Sequence, residues 1–219
     1  MVNILKNIYS DSHIATTIGF KGGTAAYLFY DLPRFSVDLD FDLLKQDQTT
    51  YVFERIHDIL MQEGTLKDSV EKHYTLFYLL QTAGKDWNIK IEISKRPTVA
   101  EFCVQSYLGI PILVMNKPDM AASKLSAFLM RKTFAARDMY DLWFFMKSAW
   151  GIRKEVVEEK SAKTIRQALT DAIEKTEAIS GNQLLQGMGE LLNEDQKIWV
   201  RKNLREELIF QLRLSLESL

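Results

Sequence analysis

Between residues 20 and 44 the chain reads FKGGTAAYLFYDLPRFSVDLDFDLL, and its final third leaves the fold little freedom. Residues 37–43 alternate apolar and acidic side chains, the pattern of a strand with one face in a core. Val37, Leu39, Phe41 and Leu43 then point one way, and Ser36, Asp38, Asp40 and Asp42 the other. Three carboxylates crowded on one strand face repel, so either one keeps a proton or a cation sits among them. The rest of the chain has to decide which.

Just upstream stands Lys21-Gly22-Gly23-Thr24. A strand that ends in two glycines and turns into a helix leaves backbone N–H groups uncovered at the positive helix end, which suits a phosphate. Gly-Gly turns are common as plain structure. Followed by Asp-x-Asp, the pair gains a chemical sense: donors for a triphosphate, then oxygen ligands for Mg²⁺, or Mn²⁺, at the α-phosphate. Asp38 and Asp40 are the first metal candidates. On the expected strand 87–93, Asn88, Lys90 and Glu92 share a face, so Glu92 is a third candidate if the two strands are neighbours. Asp42 is its rival, although it lies two residue rises, roughly 6 to 7 Å, beyond Asp40.

These residues resemble the Gly-Gly-Thr and Arg-x-Ser-x-Asp-x-Asp signature of the AbiEii/AbiGii toxin family, within the DNA polymerase β-like nucleotidyltransferase superfamily. A second block, DMAASKLSAFLMRKTFAARDMYDLWFFM, resembles the family's Lys-Leu-x-Ala helix followed by Arg-Asp-x-Tyr-Asp-Leu. With WNIKIEIS between them the resemblance spans residues 18–146. It implies that Lys21, Gly22, Gly23, Thr24, Arg34 and Ser36 bind nucleotide together with Lys124, and that Lys124 neutralises triphosphate charge. It also implies that Asp138 belongs to the catalytic set, as an orienter of Lys124 or a base, and it favours Glu92 as the third acid. A tRNA or other RNA acceptor and a cognate antitoxin are implied as partners. From the residues alone, Lys124 and Arg131 make one basic helical face, while Arg137, Asp138 and Asp141 are spaced as an ion-paired helix surface.

The remaining composition narrows the setting. With 28 Lys and Arg against 29 Asp and Glu, nucleic-acid contact has to come from a local patch. The lone Cys103 excludes an internal disulfide, and the longest uncharged run, residues 102–116, is too short to span a bilayer. No signal segment is seen near Met1. A cytoplasmic chain without membrane contact is expected.

The expected fold is α+β: a small mixed sheet of nucleotidyltransferase type with flanking helices in residues 1–115, then a helical region, 116–219, completing the active-site cleft. Expected strands are 17–20, 37–43, 70–80, 87–93 and 110–114; expected helices follow Gly23 and cover 51–61, 119–132, 137–147, 162–178, 182–192 and 197–216. The function expected is transfer of a nucleoside monophosphate from an NTP to an acceptor hydroxyl. Two other classes fit parts of the pattern: a small-molecule transferase of the antibiotic-modifying kind, and a nucleotide-binding module without turnover.

Overall fold

The computed structural model describes residues 1–82 and 88–219, which divide into two compact units, Met1–Asn116 and Lys117–Leu219. The first unit is built on a seven-stranded mixed sheet. Its strands are β1 (Ile18–Lys21), β2 (Leu39–Leu43), β3 (Gly64–Glu71), β4 (Thr75–Thr82), β5 (Asn88–Ser94), β6 (Phe102–Tyr107) and β7 (Ile110–Met115), in the order β3-β4-β5-β2-β1-β7-β6. β2 is central. It runs antiparallel to β1 and parallel to β5, while β1 pairs in parallel with β7.

One sheet face is the core. Leu39, Phe41 and Leu43 of β2, Ile89, Ile91 and Ile93 of β5, and Leu76, Tyr78 and Leu80 of β4 are all buried. Two amphipathic helices supply partners: α1 (Val2–Ser10) buries Ile4, Leu5, Ile8 and Tyr9, and α4 (Thr49–Met61) buries Val52, Ile56, Ile59 and Leu60. Tyr hydroxyls inside this layer are satisfied, Tyr9 by the Leu113 carbonyl at 3.2 Å and Tyr78 by that of Phe53 at 3.0 Å. A single-turn helix, α2 (Ser12–Ala15), is capped by Asp11, whose carboxylate accepts from His13 and Ile14 N–H and from Arg55 at 2.7 Å. Helix α3 (Gly22–Phe29) starts directly off β1.

The second unit is helical: α5 (Lys117–Met130), α6 (Ala136–Lys147), α7 (Lys154–Ser161), α8 (Ile165–Glu177) and α9 (Glu194–Glu217). Capping boxes begin α8 at Thr164 and α9 at Asn193. Trp143 packs against Trp199 at 4.3 Å between ring centres, and Phe145 stacks on Trp150 at 4.1 Å.

Several expected boundaries differ. Residues 70–80 are not one strand but the end of β3, a turn at Lys72–Tyr74 and most of β4. The expected helix 182–192 is replaced by two short 3₁₀ turns, Gly181–Gln183 and Gly189–Leu191. Helices α1 and α7 and strand β6 have no counterpart in the expectation, and α8 begins at Ile165 because Ala162 adopts φ 55° and ends α7. Trp87, expected to open the fifth strand, lies outside the described residues.

Candidate active site

The turn between β1 and α3 explains its two glycines by close approach. Gly22 has φ +80°, and a Cβ there would lie 2.6 Å from Oδ2 of Asp40. At Gly23 a Cβ would meet Nη2 of Arg34 at 2.6 Å and Oγ of Ser36 at 3.0 Å. The first N–H groups of α3 have no carbonyl within the helix to receive them. They start beside the acidic strand, where a phosphate donor would be wanted.

Thr24, Arg34 and Ser36 hold the loop that leads into β2. Thr24 is fully buried; its hydroxyl donates to the Asp38 carbonyl and lies 2.9 Å from Oγ of Ser36. Arg34 is buried behind Gly23 and donates to the Phe35 carbonyl at 3.0 Å. Three of the expected nucleotide contacts, Thr24, Arg34 and Ser36, thus also shape the turn and the loop into β2.

The expected alternation holds, with Asp38 standing just before the strand and Asp40 and Asp42 within it. Strand register then separates the two rivals for third acid. Asp40 is directly opposite Glu92 across the parallel β2–β5 ladder. Asp42, only 1% exposed, forms an ion pair with Lys21, which consumes one of its oxygens in the sheet. Asp38, Asp40 and Glu92 are thus the carboxylates that share a neighbourhood.

Lys90 completes this neighbourhood. Its ammonium lies 2.9 Å from Oε2 of Glu92 and 3.5 Å from Oδ2 of Asp38. Burial alone would lower its pKa, but the hydrogen bond to Glu92 and the charges of Asp38, Asp40 and Glu92 outweigh burial and raise it. Burial raises the pKa of Asp40; Lys90 and Lys21 oppose that, and Asp38 and Glu92 add to it. A positive group does sit among the acids, and here it is a lysine. Alternation had placed Lys90 on the face of Glu92, but the β2–β5 pairing that makes it matter is not legible in either strand alone.

In the helical unit the basic face of α5 meets acids from α6. Nζ of Lys124 lies 2.9 Å from Oδ1 of Asp138 and 3.0 Å from Oδ2 of Asp141, both acids buried. Nε of Arg131 comes to 2.9 Å of the other Asp138 oxygen at an angle outside hydrogen-bond geometry, an ion-pair contact. Asp141, read from sequence as part of an ion-paired surface, is instead a buried partner of Lys124; its i, i+3 spacing from Asp138 is the signal that could have found it.

A family model described as nucleotidyl transferase AbiEii toxin, type IV toxin–antitoxin system, matches residues 3–211. The chain belongs to that family. The match runs past the 18–146 block into the helical tail. Among solved structures, MenT4, a nucleotidyltransferase toxin from Mycobacterium tuberculosis, superposes with a TM-score of 0.63 at 18% identity, covering 96% of this chain and 82% of that one. JHP933 from Helicobacter pylori gives a TM-score of 0.57 at 20% identity, covering 100% of this chain and 92% of that one. Comparison with curated proteins finds no match. The AbiEii chain shares the nucleotidyltransferase toxin fold, and among its described residues no helix is long and apolar enough to cross a membrane.

Proposed function

We propose that this AbiEii chain transfers a nucleoside monophosphate from an NTP to a hydroxyl of RNA, tRNA included, with Mg²⁺ or Mn²⁺ as cofactor. The observation that carries this reading is the register of Asp40 against Glu92, which gathers acids from two strands beside the Gly22-Gly23 turn. The donor set is all carboxylate oxygen, suited to a hard divalent ion. Among the described residues no three acids or histidines form a ready-made metal cluster, and the Lys90 ammonium stands between two of the carboxylates. The fit therefore requires Lys90 to yield its place.

Asp38, Asp40 and Glu92 would hold the ion. Bound there, it would neutralise charge at the α-phosphate and favour the alkoxide of the acceptor. The N–H groups at Gly22 and Gly23 bind the β- and γ-phosphates and fix the α-phosphate for in-line attack. The acceptor oxygen bonds to the α-phosphorus as the bond to pyrophosphate breaks, and a carboxylate of the acidic row takes the hydroxyl proton. The family resemblance gives Lys124 the task of neutralising triphosphate charge, and within its own unit Asp138 and Asp141 are its positioning partners. The family description supports a toxin restrained by a cognate antitoxin, and an RNA acceptor would place its work in the cytoplasm.

Incubating the protein with each α-labelled NTP, Mg²⁺ and total RNA tests the proposal. Label should enter RNA from at least one NTP and be absent with a chelator. Turnover to a small amine-rich antibiotic with RNA left unlabelled would favour the small-molecule transferase, and nucleotide binding without pyrophosphate release the inert module.

A further inference from the structure

Across the acidic face the strand registers define one row. Lys21 of β1 is opposite Asp40 of β2, Asp40 opposite Glu92 of β5, and Glu92 opposite Phe77 of β4. The donor turn at Gly22 and Gly23 lies at one end of this row. Phe77 lies at the other, one strand spacing, about 4.8 Å, beyond Glu92. It is half-buried, on the face opposite the fully buried Tyr78. An aromatic ring beside Glu92 has no role in the core, because the core is the other face.

One cation lies against this ring. Nζ of Lys72 lies 4.3 Å from the Phe77 ring centre. At the turn into β4, Tyr74 is 50% exposed, with the Arg96 guanidinium 4.4 Å from its ring centre and the His73 ring edge-on at 4.2 Å. The acid of this hairpin end, Glu71, is paired with Lys95 at 2.7 Å and offsets neither Lys72 nor Arg96. Phe77 with Lys72 thus lies beside the third acid, and Tyr74 with Arg96 stands at the hairpin turn just before β4.

We infer that Phe77 and Tyr74, with Lys72 and Arg96, form the acceptor platform of this transferase, built for the unpaired end of a single-stranded nucleic acid. Aromatic rings stack bases of any sequence, and the adjoining cations take the phosphates between them. The terminal base on Phe77 places its ribose hydroxyls next to Glu92, across the acids from the donor turn. This inference rests on the transferase assignment of Asp38, Asp40 and Glu92.

The test is fluorescence anisotropy of a labelled single-stranded 12-nucleotide RNA with the full chain, without NTP or metal. Alongside it, the melting shift caused by NTP with Mg²⁺ monitors the donor site. Phe77→Ala should weaken RNA binding roughly tenfold. Phe77→Leu, which keeps the packing and removes the ring, should do nearly the same. Lys72→Ala should lower the slope of log K against log salt by about 0.7, whereas Lys6→Ala, a charge change on α1, should leave it unaltered. In transfer assays Phe77→Leu should raise KM for RNA and not for NTP. RNA binding equal to the unmodified chain in both Phe77 variants would overturn the platform, as would no RNA binding by the unmodified chain while NTP still shifts its melting. Phe77-dependent RNA binding without any NTP shift would keep the platform and sink the transferase assignment instead.

Discussion

Asp42 and Glu92 were equal in chemistry and unequal in surroundings. Asp42 is buried and committed to Lys21, whereas Glu92 is half-exposed, opposite Asp40, and paired with Lys90. The two acids should therefore fail differently. Glu92→Gln keeps shape and packing, so it should reduce label transfer by orders of magnitude with a melting temperature close to that of the unmodified chain. Asp42→Asn leaves the Lys21 ammonium without its buried counter-charge, so it should cost about 1–3 kcal/mol of stability and reduce transfer less. Paired melting curves and transfer rates check this. A destabilised Glu92→Gln protein alongside an inactive, stable Asp42→Asn protein would reverse the assignment.

Helices α5 and α6 meet through an ammonium shared by two buried carboxylates, and that changes what Lys124 does for the fold. A lysine on an exposed basic helical face would be dispensable for folding. With Asp138 and Asp141 buried beneath it, Lys124→Ala should cost about 3–5 kcal/mol, and adding Asp138→Asn with Asp141→Asn should recover most of that loss. A Lys124→Ala protein that melts like the unmodified chain in a denaturant titration would mean that Arg131 and other neighbours balance these acids without Lys124. The same contrast marks what the sequence could tell. β2 and β5 were legible because one side of each is core and the alternation is clean. The 72–74 turn was not, because it contains no Gly, Pro or Asn to signal a reversal. α7 buries only Val156, Val157 and Ser161, too few apolar positions to set a helical period, and β6 is an edge strand without a fully buried residue. Residues 182–192 have helical spacing of leucines, but Gly187 at φ +67° and Gly189 break the ladder. Of the site, the acids and glycines were readable one strand at a time. Lys90 and Phe77 became visible only once pairing set them in line with Asp38, Asp40 and Glu92, since register is a property of two strands.

Taken together, the AbiEii chain presents a sheet unit whose central strands carry acids beside a glycine turn, and a helical unit whose Lys124 is fixed by buried carboxylates. The proposed transfer centres on the acids of the first unit and the toxic effect follows from that transfer, so one change in one carboxylate should remove both. Asp40 is the residue to change: it faces Gly22, lies opposite Glu92, and its burial makes a full charge there costly without a cation. Asp40→Asn preserves volume and removes that charge. The decisive measurement is transfer of α-labelled nucleotide to RNA by the unmodified and Asp40→Asn chains, side by side with Mg²⁺ at equal folded concentration. Transfer should fall by at least about a thousandfold in the variant, and expression of the variant should no longer slow growth; transfer retained within tenfold would contradict the role of the acidic strand.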